Sequence, residues 1–374
     1  MIEQIQGIKT DKNTNFYIDL KRLNPIKEEL ETFLKDEKEM KTLSFSKKVM
    51  QSQEVKTNNN IEGYFDNIEE IEEIIKNDSS IKDKEKRSRI INLYKGYKYI
   101  LTKQDISKEN LKTLYKVLSK DLLSKYDLDH MGPYYRDDDV FIYYSDNVQI
   151  PPDKGIQKQQ IEEHMNNYFK FLNNQKEETM TDHYIKSQIA HFYFIYIHPY
   201  FDINGRTART TSMWHLLKNE AYPYIIFNRG IGNTKNIYYK EILKAKQSNN
   251  LTSFINYLLK SVKQELEKEY IMQVIQSTQN KNLSTTEITT VLDILSMKGL
   301  RTLKDYTYLY NQKNEKKRIK DIKEEMLDPL LEKNIITKER ETNGRYNHSG
   351  KNFVFSLNKD KLELDKNKVK MIKL

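Results

Sequence analysis

The chain has 374 residues, a length that predicts two or three domains rather than one. It contains no cysteine, which excludes disulfide frameworks, cysteine-based zinc sites and thiol nucleophiles. The net charge is +9, but 63 basic residues stand against 54 acidic ones, so charge alone gives little support to nucleic-acid binding. The N-terminus lacks a secretory signal pattern, and the longest stretch without charged residues, Ser187–Phe201, is too short to span a bilayer. We therefore expect a cytoplasmic protein with no membrane partner.

The N-terminal region, residues 1–85, is predicted to be a helical arm. Ile68, Ile71 and Ile74 fall on one helix face, and Asp66 is a candidate N-cap for that helix. The polar run at residues 78–80 predicts a break before the next helix.

The second region, residues 86–270, is predicted to be mainly helical with one β-hairpin. Two short β-type runs, Val140–Tyr144 and Val148–Ile150, flank a turn-forming Ser145–Asn147. The segment Tyr184–Ile197 is apolar nearly all round, which is typical of a helix at the centre of a bundle.

The C-terminal part divides into a polar linker at 271–284, a folded module at 285–360 and a Lys-rich tail at 361–374. The module shows three helical patterns and then two strand-like runs around Ile336 and Val354. That order describes a winged helix-turn-helix. Its third helix opens with Lys316, Lys317 and Arg318 and is predicted to end near Pro329. DNA and protein remain equally supported as its partner.

The segment from His198 to Arg209 concentrates residues suited to phosphate chemistry. Pro199 and Gly205 bracket a loop, and a helix is predicted to begin near Arg206, so its free N–H groups favour an anion. Arg206 and Arg209 share a helix face and suit a polyphosphate. The segment also carries two other functional side chains. Asp202 offers an oxygen ligand for Mg²⁺. His198 can accept a proton near neutral pH and so act as a base.

This segment resembles the Fic motif, which reads His-Pro-Phe, two residues, Gly-Asn-Gly-Arg, two residues, Arg. The matching residues are His198, Pro199, Asn204, Gly205, Arg206 and Arg209, with Asp202 at the acidic position. The resemblance extends over roughly residues 93–266. It implies a Fic helical bundle, so the expected fold is mainly α, with a hairpin flap and a C-terminal winged helix.

The resemblance implies transfer of AMP from ATP to a protein hydroxyl, including automodification, with ATP and Mg²⁺ as substrate and cofactor. His198 would deprotonate the hydroxyl and Asp202 would bind Mg²⁺. Asn204 and the Gly205 backbone would line the phosphate site. Arg206 would hold the β-phosphate, and Arg209 would hold the γ-phosphate. Gly205 separates this chain from the Doc-like phosphotransferase branch, which has Lys there.

Two motif positions depart from the family pattern. Tyr200 replaces Phe, a mild change, because either ring can anchor the loop. Ile203 replaces Gly, and a β-branched residue disfavours positive φ. Ile203 therefore bears on the catalytic rate or on the nucleotide used.

The segment Asn58–Gly63 resembles an inhibitory motif of the family. That motif reads Ser or Thr, three residues, Glu, then Gly or Asn. Glu62 and Gly63 match, whereas Asn58 replaces Ser or Thr. Glu62 would pair with Arg209 and take the place of the γ-phosphate. The resemblance also implies that the hairpin at 135–150 is a flap on which a target segment docks by β-strand addition.

Other interpretations remain open at this stage. The chain could be a nucleotide-sensing, DNA-binding regulator with silent Fic chemistry, a de-AMPylase, or an enzyme that uses another nucleotide such as UTP. Related proteins place aromatics near the adenine where Tyr238 and Tyr239 stand, but core packing explains these residues equally well. His191 is expected in the core rather than on a metal. Fic-like proteins often form homodimers, although the sequence shows no interface.

Overall fold

The computed structural model describes residues 2–34, 47–77, 82–102, 105–143, 152–174, 179–221, 226–279, 283–296, 301–314, 316–340 and 353–358. Most of these residues are helical and the strands are few and short, which confirms the predicted mainly α class. Among the described helices, none has the length and apolar character that a membrane crossing requires. The predicted tail at 361–374, and the break at 78–80, lie outside the described residues.

Residues 2–19 form a β-hairpin where the sequence pattern predicts a helix. Strand β1 (Ile2–Lys9) pairs antiparallel with β2 (Asn15–Asp19). Burial alternates along β2, so Phe16 and Ile18 face the core with the period of two that defines a strand. Asn13 makes the turn at φ 61°, a conformation that Asn tolerates. The helical arm therefore begins at Leu20 rather than at Met1.

The arm continues as α1 (Leu20–Leu34), α2 (Lys47–Ile61) and α3 (Ile68–Lys76). The predicted buried face of α3 is present. Its N-cap, however, is Asn67 rather than the predicted Asp66. Asp66 is buried instead, where it accepts a hydrogen bond of 3.0 Å from Asn59 Nδ2 and lies 3.4 Å from Lys86 Nζ.

The core is a helical bundle around α8 (Met180–Ile197). Every residue from Tyr184 to Ile197 is buried, as predicted for a central helix. A capping box between Thr179 and Asp182 fixes where α8 begins. The helices of the bundle are α4 (Lys84–Leu101), α5 (Lys108–Ser119), α6 (Lys125–Asp129), α7 (Ile161–Asn173), α8, α9 (Asn204–Lys218), α10 (Ile226–Asn233), α11 (Lys235–Ser248) and α12 (Thr252–Gln279).

A short strand pair lies where the flap hairpin is expected. Strand β3 (Phe141–Ile142) pairs antiparallel with β4 (Asp153–Lys154), with Phe141 opposite Lys154. The first predicted run is thus partly a strand. The second run, 148–150, and the turn lie outside the described residues.

Helix α12 runs through residues 271–279 of the predicted linker, because Ile271, Met272 and Ile275 in that stretch are buried rather than solvated. The C-terminal module then contains α13 (Thr285–Ser296), β5 (Arg301–Thr302), α14 (Leu303–Lys313), α15 (Ile319–Ile322), α16 (Asp328–Glu332), β6 (Ile336–Arg340) and β7 (Phe353–Leu357).

The strands of the module form one sheet in the order β5-β7-β6. A π-helical turn, Lys323–Leu327, joins α15 to α16. Pro329 does not end the third helix as predicted, since it lies in the first turn of α16, where its missing N–H costs no hydrogen bond. The module contacts the arm directly, because Gln53 Nε2 of α2 donates to Thr289 Oγ1 of α13 at 2.5 Å.

Candidate active site

The predicted motif forms the loop between α8 and α9. His198 ends α8 in the left-handed conformation, with φ 52° and ψ 62°, and its N–H donates to the Phe194 carbonyl at 2.9 Å. Burial is the main cause that lowers the pKa of the His198 ring, to about 3, and the positive charge of Arg136 lowers it further. The ring is therefore neutral at physiological pH, the form that a general base needs.

Arg136 holds the His198 end of the loop. Its Nε donates to the His198 carbonyl at 2.8 Å, and its Nη2 donates to the Ile156 carbonyl at 2.5 Å. Its backbone N–H donates to the Pro199 carbonyl at 2.9 Å. Arg136 is 3% exposed, so one buried guanidinium ties the flap region to the loop.

The middle of the loop contains a strained residue. Ile203 has φ 64° and ψ 9°, a left-handed conformation that costs a β-branched residue roughly 1–3 kcal/mol. Its side chain is 4% exposed and packs in the core. Its N–H donates to Asp202 Oδ1 at 2.6 Å.

Asp202 is exposed at the loop surface beside the start of α9. Partial desolvation raises the pKa of its carboxyl, while the Ile203 N–H and Arg206 oppose that rise. A single accessible carboxylate fits a Mg²⁺ ion that takes its other ligands from phosphates and water.

Asn204 closes the loop from inside. Its Oδ1 accepts from the Tyr200 N–H at 3.0 Å, and its Nδ2 donates to the Tyr200 carbonyl at 2.8 Å. The Tyr200 ring is 1% exposed and stacks on Tyr115, with 3.5 Å between ring centroids. Asn204 therefore fixes the loop shape, and Tyr200 serves as the aromatic anchor expected of this position.

Arg206 lies buried at the start of α9, only 6% exposed. Its Nε and Nη1 find no hydrogen-bond acceptor among the described residues. The Tyr64 ring lies 5.8 Å from the Arg206 guanidinium and 3.6 Å from that of Arg89. Arg206 thus carries buried donors that an anionic ligand could satisfy.

Arg209 pairs with Glu62, as the sequence predicts. Its Nη2 is bonded to Glu62 Oε1, in a salt bridge where the arginine is 2% and the glutamate 28% exposed. Asn58 also binds this arginine, since its Oδ1 accepts from Arg209 Nε at 2.9 Å and from Nη2 at 2.7 Å. Asn58 thus supports the pair through the arginine, while its Nδ2 donates to the Tyr97 hydroxyl at 2.8 Å.

Gly205 makes the approach of Glu62 possible. A Cβ at this position would lie 2.9 Å from Glu62 Oε1 and 3.1 Å from Arg209 Nη1. Burial raises the pKa of Glu62, but attraction from Arg209 and Arg206 outweighs that effect and leaves the pKa below its usual value. Glu62 is therefore an anion held against both arginines.

Two weaker sequence signals belong to the core. His191 is fully buried, and its Nε2 lies 2.6 Å from the Tyr238 hydroxyl. Tyr238 is 1% exposed, so core packing accounts for it. Tyr239 is partly buried and its hydroxyl donates to the Ile61 carbonyl at 3.5 Å. Within the described residues, no cluster of three metal-ligating side chains includes His191.

An open groove of about 700 Å³ runs along β4. Asp153, Gly155, Tyr196 and Lys246 line part of it. At Gly155 a Cβ would lie 3.2 Å from His198 Cβ, so the wall formed by β4 reaches the His198 loop. The groove offers room for an extended segment.

Sequence reasoning missed Arg136 and Tyr64. Arg136 lies 62 positions before His198 in the chain, and no local pattern connects the two. Tyr64 directly follows Glu62 and Gly63. This closeness to the predicted inhibitory glutamate was the only feature of the sequence that pointed to Tyr64.

Comparisons with known proteins agree with this geometry. The Fic/DOC family model matches residues 105–216. The crystal structure of a Fic family protein from Desulfovibrio desulfuricans G20 superposes with a TM-score of 0.55 at 14% identity, covering 95% of this chain and 97% of that one. Fic-1 of C. elegans, residues 134–508, superposes with a TM-score of 0.52 at 17% identity, covering 68% and 74%. Both likenesses show the fold alone, and the family model identifies a Fic/DOC domain at residues 105–216.

Proposed function

We propose that this protein is a self-inhibited adenylyltransferase that moves AMP from ATP to a hydroxyl side chain of a protein. Fic-domain proteins are generally transferases that use ATP and Mg²⁺. The proposal rests on three groups that one motif brings together. His198, at the end of α8, is neutral. Arg206 and Arg209 lie at the start of α9, and Arg206 has unfilled donors. These groups supply a base and a phosphate clamp in one loop.

The proposed step is an in-line displacement at the α-phosphorus. His198 takes the proton of the target hydroxyl, and the oxygen forms a bond to the α-phosphorus. The bond from that phosphorus to the bridging oxygen of the β-phosphate breaks, and pyrophosphate leaves with the electron pair. The protein contributes mainly positioning and charge stabilisation. Bound phosphates would also raise the pKa of His198 from about 3 and make it a better base.

Asp202 would hold the Mg²⁺ that neutralises the phosphates. For this the carboxylate must be ionised, which Arg206 favours. Because the Ile203 N–H is bonded to Oδ1, Oδ2 could serve as the ligand without loss of that bond. Asn204, whose amide is already engaged by Tyr200, contributes by holding the loop rather than through a free side chain.

Glu62 would act as the brake. Its carboxylate occupies Arg209, which is the side chain assigned to the γ-phosphate. ATP bound without that contact would lack the triphosphate pose needed for in-line attack. We further propose that a target segment docks along the flap and the groove beside β4, where Gly155 of the groove lining approaches His198.

The chemistry is tested by giving Glu62→Gly ATP labelled in either the α- or the γ-phosphate, with Mg²⁺. Glu62→Gly/His198→Ala is the matched control. We expect α-label to become covalently bound to Glu62→Gly and γ-label to remain unbound, with no label on the control. Covalent γ-label would instead show a phosphotransferase. ATP binding without any transfer would favour the nucleotide-sensing regulator and implicate Ile203.

A further inference from the structure

A third cation, Lys235, lies beside Glu62 without belonging to the motif. Lys235 is the first residue of α11. Its Nζ lies 3.9 Å from the position that a Cβ would take on Gly63. Its positive charge also lowers the pKa of Glu62, in addition to the effects of Arg209 and Arg206. Three positive charges therefore stabilise the Glu62 carboxylate.

Lys235 lies on a helix outside the motif loop. Its Nζ lies 5.8 Å from the centre of the Tyr239 ring, one turn along the same helix. The Tyr239 hydroxyl in turn donates to the Ile61 carbonyl, next to Glu62. The start of α11 thus faces the end of α2.

We infer that Lys235 is a phosphate-binding residue that contacts the terminal phosphate of ATP once Glu62 has withdrawn. This inference rests on the proposed function, in which Glu62 stands where that phosphate binds. A terminal phosphate carries more negative charge and more acceptor oxygens than one carboxylate. Arg209 is held in a fixed direction by Asn58. Lys235, on a flexible stem, can reach an oxygen that this arginine leaves free.

The test is calorimetric titration of ATP and AMP into the full chain carrying Glu62→Gly and His198→Ala, which opens the site and prevents transfer. Lys235→Gln is compared with Lys240→Gln, an exposed lysine on the same helix. We expect Lys235→Gln to weaken ATP binding roughly tenfold, the loss of one charge-assisted contact, and to leave AMP binding unchanged. Lys240→Gln should leave both unchanged. Thermal unfolding of each variant checks that the fold is intact.

The outcomes separate this inference from the function on which it rests. Equal ATP affinity in the two lysine variants, or an equal loss for AMP and ATP, would overturn the role of Lys235 at the terminal phosphate. Absence of ATP binding in the background protein itself would overturn the proposed function instead.

Discussion

Two clusters of cations in this chain have opposite surroundings. Arg206 and Arg209, at the start of α9, are 6% and 1% exposed. Arg206 has donors without an acceptor among the described residues. Arg209 is paired with Glu62, which lies in the turn after α2 and 147 residues away in sequence. Burying such charges is costly, so their position indicates a ligand or a removable partner.

Four cations of the C-terminal module, within residues 317–323, pair with acidic side chains nearby in sequence. Arg318 binds Asp321 through two bonds of 2.8 Å, and Lys323 Nζ lies 2.6 Å from Asp328. Lys317 is bonded to Glu325 and Lys320 lies 3.8 Å from Glu324. Arg318 and Lys320 are largely exposed, at 83% and 76%. A run of basic residues in sequence thus becomes a nearly neutral surface, whereas two spaced arginines become a concentrated site.

The largest expected effect is on Arg206. Arg206→Gln in the Glu62→Gly background should lower AMP transfer by about 100-fold, because a buried donor aimed at developing phosphate charge is lost. Initial rates with labelled ATP measure it. A loss of less than threefold, with the fold intact, would mean that the unfilled donors of Arg206 do not serve the nucleotide.

Arg209 should matter for stability as well. Arg209→Gln leaves the Glu62 carboxylate without its partner, so we expect the free energy of unfolding to fall by about 2 kcal/mol. This loss is smaller than that for a fully buried ion pair, because Glu62 is 28% exposed. Adding Glu62→Gln should restore more than half of that loss in urea unfolding. Additive losses in the double variant would show that the two side chains are not coupled.

Ile203 tests the strain in the loop between the two halves of the motif. Glycine adopts positive φ without the steric cost that Ala pays, so Ile203→Gly should be about 1 kcal/mol more stable than Ile203→Ala. In a regular helix the order would be reversed. If Ala proves the more stable replacement, residue 203 does not hold its left-handed conformation.

The smallest effect is expected in the C-terminal module. Arg318→Gln/Lys320→Gln should change affinity for duplex DNA less than about twofold, and the affinity should depend only weakly on salt, because few unpaired charges are available to phosphates. Fluorescence anisotropy between low and moderate salt measures both. A steep salt dependence that the double variant abolishes would restore DNA as the partner of the predicted winged helix.

The motif loop could be predicted from sequence because its chemistry is local. His198, Asp202, Arg206 and Arg209 lie within twelve positions, so a loop followed by a helix brings them together. The Glu62–Arg209 pair came from a resemblance, since 147 positions separate its members. The central helix was predictable because Tyr184–Ile197 is apolar on every side.

The rest depends on contacts that no local pattern encodes. Arg136 reaches His198 across 62 positions, and Lys235 reaches the Glu62 turn across the bundle. The N-terminal hairpin was missed because its short alternation at Phe16 and Ile18 stands next to a strong helical pattern. The positive φ of Ile203 opposes its residue preference, and tertiary packing of its buried side chain offsets that cost.

The central claim, a Glu62 brake on a competent transfer site, is tested most directly by intact mass after incubation with ATP and Mg²⁺. Wild type, Glu62→Gly, His198→Ala and the exposed-site control Glu73→Gly are compared. We predict the added mass of AMP on Glu62→Gly at a rate about tenfold or more above wild type and Glu73→Gly, and none on His198→Ala. Equal rates in wild type and Glu62→Gly would contradict the brake, and modification of His198→Ala would contradict the assigned base.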